Sequence, residues 1–412
     1  MGHCHGTSRR RSVMRVLLAC SPLPGLTGTE VAELARTGWL AQRPADRITA
    51  YPVSDGVSVP FVGSGLPEAL LKEPTEYPLG RADSRRFAFR AGDTVVLDYS
   101  QFLNDAPATG ALQSSMAVGE DLAWACANGA KRIVVALPAP GYCTDMGLGM
   151  LASLADVRLS SGWTATDPVP FALAPALERA AEVLSDVDLV VLASGEQRLL
   201  GFSGVARTWA YRGMDPERAQ EFSRAMGAVA QDVSEAAAAR ANTRPLLPLH
   251  GEQKTDRPER GPFSGAASGV GFILDSLGGR LMSVGCATVS ERLREEARLT
   301  DLFVYACAAI DESIPSGLQA AIELASAAAI PIVVIYDSGS LRRGELPRMG
   351  LDGAYQLRPE EAWRGVGRQR EYAESGDDVA VTGTRAKLPG DELQERLWSV
   401  TGRVARTWGW DA

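Results

Sequence analysis

The sequence predicts an α/β protein of two domains built on mainly parallel sheets. Three observations lead there. Short runs rich in Val, Ile and Leu recur along the chain, and they are continuously apolar rather than alternating, as strands buried on both faces are. Amphipathic helical stretches separate them. The chain has 412 residues, 45% of them apolar, which suggests roughly two to three domains by length with material for real cores.

The elements follow in order. Residues 1–12 read as a disordered basic tail, with Arg9 to Arg11 before the first apolar run, Val13–Ala19. A basic stretch ahead of an apolar run ending at Cys20 has the outline of a lipoprotein signal. The run is short and broken by Arg15, so it is read as the first buried strand, and Met14 is an alternative start. His3, Cys4 and His5 sit on the tail, where a mobile backbone makes a poor metal site. Thr27 and Glu30 then form a T-x-x-E capping box, followed by Val31, Leu34, Ala35 and Gly38 at helical spacing. The second strand, Ile48–Val53, ends in Ser54-Asp55-Gly56. Leu79 to Asp93, with four arginines, reads as a solvated connection before the strand Thr94–Tyr99.

Ser114 to Asn128 reads as a helix with Val118, Leu122 and Ala125 on one side. The strand Arg132–Leu137 runs into P-A-P-G-Y-C-T-D-M-G-L-G-M, Pro138 to Met150. The strand Asp188–Ala193 follows, then a helix whose stripe is Phe222, Met226, Val229 and Val233. Thr243 to Phe263 is polar, proline-bearing and aperiodic, and reads as a loop or hinge. The strand Asp301–Ala306, a helical stripe of Leu318, Ala321, Ile322 and Ala325, the strand Pro331–Tyr336 and a stripe of Leu393, Leu397, Val400 and Val404 complete the pattern.

Composition narrows the function. The net charge is −8, so no basic field is available for a nucleic-acid backbone. No segment is long and apolar enough to cross a membrane. Six scattered cysteines, Cys4, Cys20, Cys126, Cys143, Cys286 and Cys307, make no C-x-x-C pair, which argues against a zinc site or a disulfide frame and fits a reducing cytoplasm.

Chemistry concentrates where strands end. An α/β protein places ligands beyond the carboxyl ends of its parallel strands. Asp55, Asp145 and Asp311 each follow such an end. An acid there holds magnesium or a substrate hydroxyl, or serves as an ordinary turn or cap residue. Gly141, Gly147 and Gly149 permit close backbone approach around Asp145. Ser114 and Ser115 open a helix and either cap it or contact phosphate. The stretch Gly261 to Gly271 lies against a nucleotide or seats a helix tightly. The turn Ser21 to Glu30 precedes a helix N-terminus but lacks the G-K-S/T of a Walker loop. Cys307 has no histidine near it in sequence to make it a nucleophile.

Taken in order, these motifs resemble the glycerate kinase family. A-P-G-Y-C-T-D-M-G-L-G-M is similar to that family's G-G-S-A-T-N-D-G-G-A-G-M and keeps Asp145, Gly147, Gly149 and Met150. S-G-A-A-S-G-V-G-F-I-L resembles its G-A-G-A-A-G-G-L-G-A-G-L, and L-L-G-F-S-G-V-A-R-T-W-A-Y-R-G-M-D keeps Gly201, Gly204 and Gly213 of a glycine-framed turn. Y-A-C-A-A-I-D-E-S-I keeps Asp311 of the family's last signature without its glutamate and arginine, and the lysine of the family's first turn is absent.

The resemblance implies a flavodoxin-like (Rossmann-like) parallel-sheet domain formed by both chain ends, residues 13–58 plus 285–412. A second α/β domain, 59–284, is inserted, with the ligand cleft at the junction. It implies ATP-dependent phosphorylation of glycerate or a related small hydroxy acid, with magnesium. The expected catalytic acids are Asp145, Asp311 and Asp55, the first two as magnesium ligands. Ser115, Gly141, Thr144, Gly147, Arg212, Gly265 and Gly269 are expected to bind substrate or nucleotide, with Arg207 or Arg212 replacing the missing cations. A cytoplasmic homodimer without nucleic-acid or membrane partners completes the expectation. The alternative is an inactive homologue that binds or regulates. A flavin or nicotinamide oxidoreductase is a weaker reading, because no G-x-G-x-x-G follows the first strand.

Overall fold

The computed structural model describes residues 13–59, 61–80, 86–100, 114–138, 143–160, 162–211, 213–243, 258–310, 314–339, 341–342, 344–358 and 390–409. The tail at 1–12, most of the polar loop after Thr243, and Gly141, Arg212 and Asp311 lie outside the described residues.

In chain order the elements are β1 (Arg15–Cys20), α1 (Gly28–Leu40), β2 (Arg47–Pro52), α2 (Leu66–Leu70), β3 (Thr75–Leu79), β4 (Arg86–Ala91), β5 (Thr94–Asp98), α3 (Met116–Ala127) and β6 (Arg132–Leu137). Then come α4 (Leu148–Leu154), α5 (Leu173–Val183), β7 (Asp188–Ala193), α6 (Val205–Tyr211), α7 (Pro216–Thr243), α8 (Val270–Ser276), β8 (Arg280–Ser283) and α9 (Glu291–Ala297). The chain continues with β9 (Leu302–Ile310), α10 (Ser316–Ala328), β10 (Ile332–Gly339), α11 (Leu346–Met349), β11 (Gly353–Gln356) and a last helix, Gly390–Trp408. Among the described residues no helix is long and apolar enough to cross a membrane.

The chain divides into two compact units. The first comprises residues 1–54, 59–65 and 288–412; the second comprises 55–58 and 66–287. The first unit holds a sheet of order β11-β10-β9-β1-β2 in which every pair is parallel. Successive side chains of a strand point to opposite faces. Val16, Leu18 and Cys20 of β1 therefore enter one core with α1 and the last helix. Leu17 and Ala19 enter another with α9 and α10.

Local chemistry accounts for these helices. Thr27 Oγ1 accepts the Glu30 amide, and Glu30 returns a carboxylate oxygen to the Thr27 N–H at 2.8 Å, so the capping box is complete. Trp39 is wholly buried, and its indole N–H donates to Asp46 at 2.9 Å. Asp46 also accepts from Met14 N–H and Arg43, which fixes the start of β1 against the approach to β2. Gly38 lies against the backbone of Trp398 on the last helix; a Cβ there would stand 2.5 Å from the Trp398 carbonyl oxygen.

The second unit holds a sheet of order β3-β4-β5-β6-β7-β8. Its β5 to β8 are parallel, while β3, β4 and β5 are antiparallel. The solvated connection expected over Leu79–Asp93 is corrected here, because β4 runs through it. Its burial is shallow and β3 is exposed at four of five positions, so this edge carries little of the apolar signal that marks a buried strand. Arg86 of β4 turns inward to Asp121 of α3, whose carboxylate also accepts the Tyr99 hydroxyl at 2.7 Å. Burial raises the Asp121 carboxyl and pushes the Tyr99 phenol well above its ordinary value.

Gly38→Ala puts a methyl group into the Trp398 backbone. It is expected to lower stability by about 1–3 kcal/mol through overpacking, read as a lower denaturation midpoint at unchanged m-value.

Candidate active site

Parallel strands β5 to β8 end at one edge of their sheet, and the polar groups gather there. The chain leaves β6 at Leu137 and re-enters helix at α4. Between them Asp145 is 2% exposed and accepts five hydrogen bonds. Its Oδ2 takes the Ser115 amide at 2.7 Å and the hydroxyls of Ser114 at 3.0 Å and Ser115 at 3.1 Å. Its Oδ1 takes the Gly147 amide at 3.0 Å and the Cys143 thiol at 3.0 Å. Ser115 Oγ in turn accepts the Met150 amide at 2.9 Å. The start of α3 and the start of α4 are thus fastened through one carboxylate. Ser115 is the N-cap residue of α3 but makes no side-chain cap bond, because its hydroxyl is engaged by Asp145 and Met150.

The glycines around this network are required by packing. Gly147 has φ +86° and lies against Val270 and Ile273, and Gly269 has φ +118° and lies against Met146. Gly149 has no room for a side chain, since a Cβ would meet Asp145 Oδ2, Ser114 Oγ and the Met116 amide. Gly265 presses on the Arg198 backbone and donates its amide to Gln197 O at 2.8 Å. Ala267 donates to Pro138 O at 3.0 Å. The second glycine-rich stretch therefore seats α8 and closes directly on the first.

Asp55 is buried at 6% exposure and belongs to the same unit as Asp145. Its neighbour Gly56 lies against Ser194 and Val284, just beyond β7 and β8. Asp55 thus follows β2 of the five-stranded sheet in sequence, whereas Asp145 follows β6 of the six-stranded sheet; the two are grouped in one compact unit but do not share a sheet. Thr144 is buried, donates nothing from Oγ1 to any described residue, and gives its carbonyl to the Ala165 amide at 2.9 Å. Ser100, just past β5, likewise has a buried hydroxyl with no partner among the described residues. Ser114, at the start of a helix, and Cys143, within the motif, are visible in the sequence, but not as donors to Asp145. Only the C-x-D spacing hinted at the thiol contact.

The donor set bears on metal binding. Both oxygens of Asp145 are committed to neutral donors, and no lone pair remains for inner-sphere magnesium. Among the described residues no group of three or more His, Cys, Asp or Glu side chains could hold a metal ion. Cys307 is fully buried in the core of the first unit, as befits a packing residue. Burial raises the Cys20 thiol to about 12, and burial beside Asp145 pushes the Cys143 thiol well above its ordinary value.

Two comparisons with known proteins bear on this site. The family model described as "Glycerate kinase family" matches residues 23–364. The crystal structure of "putative glycerate kinase 2 from Salmonella typhimurium LT2" superposes with a TM-score of 0.62 at 17% identity, covering 96% of this chain and 98% of that one. No curated protein is significantly similar in sequence.

Asp145→Ala strands the buried amides of Ser115 and Gly147. It is expected to cost about 3 kcal/mol or more, because each unsatisfied buried donor costs about 1–3 kcal/mol, measured by denaturant unfolding. In the native protein near pH 8, Cys20 and Cys143 are expected to resist alkylation until the chain is unfolded, as mapped by peptide mass spectrometry.

Proposed function

Because this chain belongs to the glycerate kinase family, we propose that it is an ATP-dependent phosphotransferase acting on glycerate or a related small hydroxy acid in the cytoplasm. The observation that carries the reading is the polar network around Asp145, between β6 and α4. Asp145, Ser114, Ser115 and Thr144 are held at the carboxyl edge of parallel strands, where this architecture places its ligands.

Phosphoryl transfer is chiefly positioning and charge stabilisation. Asp145 acts in this reading by positioning: it fixes the serine pair and the α4 start so that Thr144 and the backbone at Gly147 present one shape to a substrate. Gly265 and Gly269 hold the adjoining wall. Asp55 and Asp311 are the acids proposed to meet the acceptor hydroxyl or the magnesium shell, and Arg212 is the proposed cation. Magnesium-ATP, when bound, supplies the phosphoryl group and its counter-charge. The saturated Asp145 does not fit as its inner-sphere ligand, and no step is routed through it. The five cysteines described are all outside disulfides, in keeping with a reducing compartment.

A second reading is favoured by one observation. A carboxylate with every oxygen committed to neutral donors suits a structural lock as well as a catalytic one, and a binding or regulatory homologue would keep it.

The full chain with magnesium-ATP is expected to release ADP in the presence of glycerate or a small hydroxy acid, followed by a coupled ADP assay. No turnover with any such acid, alongside normal ATP binding by calorimetry, selects the regulatory reading. No binding of ATP removes the kinase reading.

A further inference from the structure

We propose that Phe202, Arg207 and Tyr211 form a stacking platform for the purine base of a nucleotide; this rests on the ATP-dependent reading above and assigns the base a place on the second unit. Phe202 is 85% exposed and Tyr211 82% exposed. Isolated surface apolar residues need no explanation. These two are not isolated, because Arg207 joins them. Its guanidinium carbon lies 4.0 Å from the centre of the Phe202 ring, and its Nη1 reaches the Phe202 carbonyl at 3.4 Å. Arg207 and Tyr211 are four residues apart on α6 and so share one helical face. The result is an exposed aromatic–cation–aromatic strip.

The strip is rigidly mounted. Gln197 Nε2 donates to Ser203 O at 2.7 Å, Gly204 N to Gly201 O at 3.0 Å, and Arg207 N to Gly204 O at 3.2 Å. The opposite face of α6 is anchored by buried Val205, Ala206 and Trp209, the last edge-on to Phe222 at 5.4 Å between ring centres. The backbone is therefore fixed while both rings stay in water, which is the arrangement a stacking surface requires. Arg207 covers one face of Phe202 and leaves the other bare.

The chemistry selects the ligand. Every nucleobase has a π-face that stacks on aromatic rings and on guanidinium planes. A small hydroxy acid has none, so this strip serves the nucleotide rather than the acceptor. The Arg207 charge also complements a polyphosphate. The strip shares its scaffold with the proposed site. Val205 lies against Gly265, Gly265 bonds Gln197, and Ala267 bonds the Pro138 carbonyl at the end of β6.

The test measures affinity of the full chain for magnesium-ATP and, separately, for magnesium tripolyphosphate, which has the phosphates without the base. Phe202→Ala and Tyr211→Ala are exposed changes, and unchanged thermal midpoints would establish that both variants fold. Each is expected to weaken ATP about five- to a hundredfold and to leave tripolyphosphate binding as it was, while Phe202→Trp restores ATP affinity. If the wild type binds ATP and both alanine variants match it, the platform is overturned and the kinase reading stands. If the variants instead lose self-association in sedimentation with ATP affinity intact, the strip is an interface between copies and the proposal fails. If the wild type binds no ATP, the platform and the reading beneath it fall together.

Discussion

One buried carboxylate sets the arrangement of the carboxyl edge of the second unit's sheet. An acceptor placed at 2% exposure is costly unless donors surround it. The chain supplies them to Asp145 from three places: the two serines before α3, the thiol two residues back and the amide two residues on. Meeting that demand dictates the rest. The turn must curl so tightly that Met146 takes φ +54° and Gly147 φ +86°. Helix α4 must begin where Gly149 leaves no space for a Cβ. The next turn in line must itself be glycine-rich, because Gly269 and Val270 fill the hollow behind Gly147. Two motifs more than a hundred residues apart in sequence are glycine-rich for one shared reason.

That reason was only half legible in the sequence. Continuous apolar runs marked β1, β5, β6, β7, β9 and β10, since strands buried on both faces need little else to identify them, and the edge strand β2 was marked by its own short apolar run. The T-x-x-E box and the helical stripes were equally readable, because caps and helix faces are local. β3 and β4 escaped because the edge strand β3 is exposed and its neighbour β4 is only shallowly buried, so neither has an apolar run to show. The role of Asp145 escaped for a different reason. An acid after a strand is visible in sequence, but its partners Ser114 and Ser115 stand 31 and 30 residues away. Whether a glycine cradles a phosphate or admits a neighbouring backbone depends on that neighbour, which composition does not name.

The same network limits the chemistry the turn can perform. A helix N-terminus attracts anions through its unpaired amides and its dipole. At α3 that capacity is already spent. The Ser115 amide holds Asp145, the Met116 amide holds Ser114 Oγ at 3.3 Å, and a carboxylate occupies the place a phosphate would take. Like charges compete for such a position, so a phosphate arriving there meets repulsion rather than a cradle. What the turn still offers is neutral: the Thr144 hydroxyl and, past β5, the Ser100 hydroxyl.

Phosphoryl transfer nevertheless needs positive charge around the transferring group. None of the five donors to Asp145 is a cation, so the counter-charge has to come from arginines carried on other elements or with the nucleotide's own metal. Arg207, proposed above for the nucleotide base, is one arginine carried elsewhere in the second unit. It is exposed, held over Phe202 by its side chain, and mounted on a helix whose inner face packs into the scaffold shared by both glycine-rich turns. In the proposed kinase, the two tasks that a phosphate-binding loop usually combines are therefore divided between elements. The turn around Asp145 fixes the backbone and offers only neutral donors, and the positive charge that the proposed reaction needs is left to other elements.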